Sequence, residues 1–192
     1  MDRQSNEYFA IDIETTSLNP RFNDIVEVYY AYIKDGKIVE ESHSLHWSIL
    51  LFKTQKIHQI KYKEIFGKEK FKGSKEAKRI REFLERVIDK DDPLVLMAHY
   101  APFEIKWLEN KLKIDLSQAK VYDTCEMERI INPGESASLI NSCLRRGIVS
   151  PNKNYDFHRA DQDVKAMLEL FSFQQKELKE LNNDIKKELE YE

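Results

Sequence analysis

Glycine and proline are scarce in this chain, five of each among 192 residues. That excludes collagen-like repeats and Gly/Pro-rich linkers, and it predicts one compact unit. Cysteine is scarcer still. Cys125 and Cys143 stand alone, with no C-x-x-C pair, so neither a zinc ribbon nor a dithiol redox motif is supported. Reduced thiols and a cytoplasmic location are the expectation. No run approaches the ~18 apolar residues of a membrane helix, and the polar start Met1–Asn6 has no apolar signal core. No membrane partner is therefore expected. A large excess of positive charge is also missing: 31 basic against 34 acidic residues leave a net charge of −3. Any binding to nucleic acid must then be local or metal-assisted.

What is present is a soluble, surface-rich composition, 41% hydrophobic and 34% charged. Residues 7–14 and 25–33 read as strands rich in β-branched and aromatic residues. Asp35-Gly36 is a hairpin signal, with a third strand over 37–46. Apolar residues at helical spacing (Ala77, Ile80, Phe83, Leu84, Val87, Ile88) follow Ser74, a suitable N-cap. Leu94–Ala98 reads as a buried strand, and Pro102 as the first residue of a helix through about Leu112. A short strand is expected at Val121-Tyr122, and two short helices near 124–131 and 136–145. Val164, Met167, Leu168, Phe171, Leu178, Leu181 and Ile185 mark a long last helix. From about residue 176 it becomes a charged extension with a solvated face. The order β-β-β-α-β-α-β-α-α-α predicts an α/β fold, a mixed sheet flanked by helices, as one domain over 1–192.

The carboxylate pair Asp12-x-Glu14 lies at the end of the first strand. Positions i and i+2 of a strand share a face, so the two acids point one way and Phe9, Ile11 and Ile13 the other. Alone, the pair equally fits the solvent side of an edge strand. Buried, it is costly without a counter-charge, and a divalent cation is the economical one. Two further acid-bearing segments lie at element boundaries: Ala98-His-Tyr-Ala-Pro-Phe-Glu104 and His158-Arg-Ala-x-x-Asp163. Four carboxylates can hold two ions about 3.5–4 Å apart, and oxygen ligands suit Mg²⁺ or Mn²⁺. His158 is the natural base to take a proton from an attacking water. Asp123 reads as a helix cap rather than a ligand. His43-x-x-His46 lacks companion cysteines and reads as structural. The cluster Lys68, Lys70, Lys72, Lys75, Lys78, Arg79 and Arg81 fits a solvated helix face or a track for phosphates, with Arg159 and Arg145-Arg146 as alternative phosphate contacts.

Phe9-Ala-Ile-Asp-Ile-Glu-Thr-Thr-Ser-Leu18, the segment ending at Glu104, Tyr122-Asp-Thr124, Ser138-Leu139 and the His158–Asp163 segment together resemble the DEDDh branch of the DnaQ-like 3′→5′ exonucleases, a family that includes the proofreading ε subunit of bacterial DNA polymerase III. The resemblance spans roughly residues 7–172. It implies a ribonuclease H-like sheet, three antiparallel strands then parallel ones. It also implies two-metal hydrolysis at nucleic-acid 3′ ends, releasing nucleoside 5′-monophosphates. Asp12 would bridge both ions, Glu14 and Asp163 would support the catalytic one, Glu104 would stand near the second, and His158 would be general base. Thr15, Thr16 and Leu18 would line the pocket for the terminal nucleotide with Phe103, and His99 reads as structural or substrate-positioning rather than as the catalyst. Single-stranded DNA is the favoured partner, RNA a second, and a polymerase or other nuclease complex a third. The chain departs from the pattern at Glu104, where the family usually has Asp, and at Tyr100, where it usually has Asn. Those departures keep an alternative open: a weakened or inactive module that binds nucleic acid or protein.

Overall fold

A computed structural model describes residues 6–149 and 157–190, and the side chains only as far as 183 over the last turns. The polar start over residues 1–5 and the apolar position Ile185 lie outside the described residues and side chains. Strands β1 (Glu7–Thr15), β2 (Ile25–Lys34) and β3 (Lys37–Leu45) come first. Helices α1 (Phe52–His58), α2 (Tyr62–Ile65) and α3 (Lys75–Ile88) follow, then β4 (Val95–Ala98), α4 (Ala101–Leu112) and β5 (Val121–Asp123). Helices α5 (Thr124–Ile131), α6 (Leu139–Arg145) and α7 (Ala160–Glu190) complete the order. The five strands form one sheet in the order β3-β2-β1-β4-β5. The first three are antiparallel; β4 runs parallel to β1 and β5 parallel to β4. This is the mixed sheet the motif order implies.

The β2–β3 hairpin turns at Asp35 (φ 49°) and Gly36 (φ 73°), both left-handed, which matches the right-handed twist of the flanking strands. The alternation of β1 decides where the site lies. Phe9, Ile11 and Ile13 pack with Ile80, Phe83 and Leu84 of α3 and Trp107 and Leu108 of α4. Ala10, on the opposite face, packs with Val164 and Met167 of α7 and Met127 of α5. Asp12 and Glu14 continue the Ala10 row by the two-residue period, so they look toward the start of α7.

The sequence reading assigned no element between residues 47 and 73; the structure places α1 and α2 there. They span seven and four residues, and neither has a side-chain cap of the usual Ser, Thr, Asp or Asn type. So short a segment cannot show a helical period against background. By contrast α3 begins where Ser74 predicts, its Oγ accepting from the Ala77 N–H at 3.0 Å. The 136–145 helix starts later than expected, at Leu139, with Ser138 as its cap.

Candidate active site

The site forms where β1, α4 and α7 converge. Beside it is a cavity of about 470 Å³ whose lining includes Asp12, His99, Tyr100, Ser138, His158 and Asp163. Glu104, one turn into α4, is buried, and its Oε2 has no hydrogen-bond partner. Asp163, in the first turn of α7, is 9% exposed. Ligand atoms of Glu14, His158 and Asp163 lie within 4.8 Å of one another. The structure therefore brings together the four acids and the histidine of the three motifs.

All four carboxyls are held above their ordinary range. For Asp12 the causes are burial, then the charges of Asp163 and Glu27. For Glu14 they are burial and Asp12, Asp163, Glu27 and Glu104. Glu104 is raised by burial and by Asp12. Asp163 is pushed up to about 7, chiefly by burial, against a lowering bond from the His158 N–H. The four acids repel one another, one has an orphaned buried oxygen, and none of them is in an ion pair among the described residues. An oxygen-rich donor set of this kind fits a hard divalent cation.

Two of the site's elements begin at residues in left-handed backbone. His158 has φ 70°, and its N–H donates to both oxygens of Asp163 at 3.2 and 3.3 Å. Tyr100, the N-cap of α4, has φ 69° and makes no side-chain cap of its own. Asn tolerates that conformation through its short polar side chain, which gives a physical reason for Asn in the family pattern. The cap of α4 comes from Asp123 of β5. Its Oδ1 accepts from the Tyr100 N–H at 2.9 Å and its Oδ2 from the Ala101 N–H at 3.0 Å. The same carboxylate accepts from Cys125 N–H at 2.9 Å, so one residue caps α4 and α5 together, as the cap reading of Asp123 requires and further.

The expected substrate residues divide. Leu18 is 76% exposed, its carbonyl held by Lys106 at 3.2 Å. Phe103 is half-buried and packs toward Trp107. Thr15 and Thr16 are buried, and their hydroxyls donate to the Ser17 and Asp24 carbonyls. His99 borders the cavity, but both ring nitrogens are engaged, Nε2 by the Ala137 carbonyl and Nδ1 by the Thr124 hydroxyl, each at 2.9 Å. Burial lowers its pKa, so it stays neutral and ties the end of β4 to α5 and to the loop before α6.

Three arginines read as phosphate contacts are committed elsewhere. Arg159 pairs with Glu27 at 2.9 Å and with Glu64 at 3.4 Å. Arg145 and Arg146 pair with buried Glu128 at 2.6 and 2.8 Å. In the basic cluster, Arg79 pairs with Glu40 and Glu82, and Arg81 with Glu85. Glu27 escaped the sequence reading. It is fully buried on β2 opposite Glu14. Burial alone would raise it, but His43, Arg159 and the Ala160 N–H hold it below its ordinary range. It anchors the start of α7 through Arg159 and Ala160. The signal was a lone acid inside an otherwise apolar strand, Ile25-Val-Glu-Val-Tyr-Tyr30.

A mixed sheet with carboxylates gathered at the end of its central strand defines a ribonuclease H-like hydrolase fold. The chain belongs to the RNase_T exonuclease family, whose model matches residues 9–171; it is a DnaQ-like member. It is 27% identical over 195 residues to a PolC-type DNA polymerase III from Mycoplasmopsis pulmonis, covering 95% of this chain and 12% of that protein. It is 23% identical to the 3′-5′ exonuclease DinG of Staphylococcus aureus over 190 residues, 96% of this chain and 20% of that one. The chain thus spans a fifth or less of these curated relatives. Among solved structures, an E. coli exonuclease I–single-stranded DNA complex aligns with TM-score 0.70 at 14% identity, over 94% of this chain and 43% of that one. Exonuclease X in complex with 5′ overhanging duplex DNA aligns with TM-score 0.57 at 22% identity, over 85% and 89%. No helix among the described residues is long and apolar enough to cross a membrane.

Proposed function

We propose that this chain is a single domain over residues 1–192, with a charged helical extension from about 176, that removes nucleoside 5′-monophosphates from the 3′ end of single-stranded DNA. RNA ends are the second substrate class. The observation that carries the reading is the convergence of four carboxylates, half-buried Asp12 and Glu14 with buried Glu104 and Asp163, and the unpartnered Oε2 of Glu104. Asp12, Glu14, Glu104 and Asp163 would hold two Mg²⁺ or Mn²⁺ ions. Such ions, when bound, activate a water and neutralise the leaving oxygen. His158 takes the proton of that water. Its left-handed backbone, fixed by Asp163 and by the Glu27 anchor, aims the ring at the cavity and leaves it 4.8 Å or less from Glu14 and Asp163. Leu18 and Phe103 would flank the terminal nucleotide, and the neutral His99 keeps the cavity wall in place. The PolC-type relative makes a polymerase complex the natural assembly to test. Incubating a 5′-labelled oligonucleotide with Mg²⁺ or Mn²⁺ should give a ladder that shortens from the 3′ end; full-length label after long incubation with either ion would end the proposal.

Ion binding also has a readout apart from turnover. Asp163 is raised to about 7, above its unfolded value. The metal-free fold is therefore least penalised below the ordinary carboxylate range and loses stability as pH rises toward about 7. Bound cations relieve that loss. At about 100 times Kd one ion adds roughly 2.7 kcal/mol, which for a chain of this length raises Tm by roughly 5–10 °C. The rise should be large at pH 8 and small at pH 5. A Tm indifferent to Mg²⁺ and Mn²⁺ at pH 8 favours the binding-module alternative.

Glu104 supplies a second test. Its carboxyl is buried and raised by burial and by the charge of Asp12. Glu104→Asp withdraws the carboxylate by about 1.5 Å, and misplacement of that order costs about 100-fold in rate. Steady-state kcat should fall by about that factor. An Asp variant as fast as wild type, or faster, identifies Glu104 as a compromised ligand.

A further inference from the structure

Net charge is −3, yet residues 47–63 hold four lysines and no acid. Lys53, Lys56, Lys61 and Lys63 are all exposed, and none is in an ion pair among the described residues. The same stretch exposes large apolar side chains: Phe52 is 71% exposed, and Ile49, Leu51 and Tyr62 also face solvent. Lys56 Nζ stands 4.4 Å from the Phe52 ring centroid. Isolated exposed apolar residues are ordinary, but a run of them mixed with unpaired cations is not a solvated face.

Two contacts attach this segment to the site. Thr54 Oγ1 of α1 donates to the Thr16 carbonyl at 3.0 Å, in the loop that leaves Glu14. At the other end a groove of about 450 Å³ runs past Lys61, Lys63, Glu64 and the Glu64-paired Arg159, and shares Phe157 with the cavity beside the acids. The segment thus adjoins the site at both of its ends.

We propose that residues 47–63, centred on α1, form a platform for the single strand upstream of the reacting 3′ end. The Phe52 ring stacks on a base, and Lys53, Lys56, Lys61 and Lys63 meet successive phosphates. The occupant is a flexible single strand, because base stacking on Phe52 needs an unpaired base with its face free. This rests on the exonuclease reading above and adds a site to it, outside the acid quartet.

The test is equilibrium binding, by fluorescence anisotropy in EDTA, of labelled trithymidylate and dodecathymidylate to the full chain, together with hydrolysis of both in Mn²⁺. Wild type should bind the longer strand more tightly. Phe52→Ala should weaken dodecathymidylate binding about tenfold, and the paired change Lys53→Gln with Lys56→Gln by a similar factor. The lysine pair should also reduce the slope of log affinity against log salt by about 1.4, since each phosphate contact on a single strand contributes about 0.7. Effects on trithymidylate should be much smaller. Equal dodecathymidylate affinity in wild type and both variants overturns the platform. So does a preference for phosphatidylserine vesicles over the oligonucleotide that these variants abolish, which would make the patch a membrane-facing surface. Failure of the exonuclease reading shows separately, as wild type that releases no mononucleotide from either strand.

Discussion

Asp12→Asn should cut turnover on the order of 10³-fold while raising the melting temperature of the metal-free protein. The two effects share one cause. Asp12 stands among Glu14, Glu104 and Asp163, and each of these is pushed upward by burial and by neighbouring charge. Removing its charge relieves the repulsion when no cation is bound, so stability rises at pH 8. The same change deletes the central oxygen donor. Loss of one preorganised electrostatic contact typically costs 10²–10³-fold, and Asp12, if it serves both ions as proposed above, should sit at the upper end, on the order of 10³-fold in kcat. Calorimetric titration with Mn²⁺ should show affinity lost in parallel. A variant that keeps wild-type kcat would sink the mechanism, and one that melts lower without metal would contradict the electrostatic account of the site.

Glu128→Gln carries the largest expected effect on stability. Glu128 is buried in α5 and accepts from Arg145, Arg146 and Gln174. Arg146 is itself only 5% exposed and also reaches Glu177 on α7. Burial would raise the Glu128 carboxyl, yet the two arginines and Gln174 bring it down to about 2. Breaking a buried pair by removing one partner typically costs 3–5 kcal/mol. Glu177 retains part of Arg146, which points to the lower end: about 3 kcal/mol, or roughly 6–12 °C in Tm at pH 7. The pH dependence gives an independent check. A carboxyl depressed on folding contributes stability that is present above its unfolded value near 4.5 and disappears as pH falls toward about 2. Wild type should lose stability across that window and Glu128→Gln should lose much less. Identical acid profiles would mean that the cluster is an ornament of the surface rather than a fastening between α5, α6 and α7.

The parts of this molecule that sequence exposed are those with a local rule behind them. Period-two alternation fixed the faces of β1, and the Asp35-Gly36 turn fixed the hairpin. Ser74 marked the start of α3 and Asp123 the start of α5. The acid quartet and His158 were visible because motif spacing placed each at an element boundary. What stayed hidden depends on partners distant in the chain. Glu27 is an acid whose counter-charge, Arg159, lies far away in the chain, just before α7. Arg145 and Arg146 look like free cations until Glu128 is placed beside them. Helices α1 and α2 are too brief to announce themselves by period. The use of Asp123 as a cap for α4 needed β5 to lie beside β4.

The sheet closes at Asp123 with β5, whereas Asp163 arrives only with α7, after α5 and α6 have been laid down. During synthesis the hydrophobic scaffold can consequently assemble around β1 before the last acid leaves the ribosome. A chain at that stage presents Asp12, Glu14 and Glu104 without Asp163 or His158. On the reading proposed above, hydrolytic competence would wait for the docking of the final helix, whose Val164, Met167 and Phe171 also build the core on that face of the sheet.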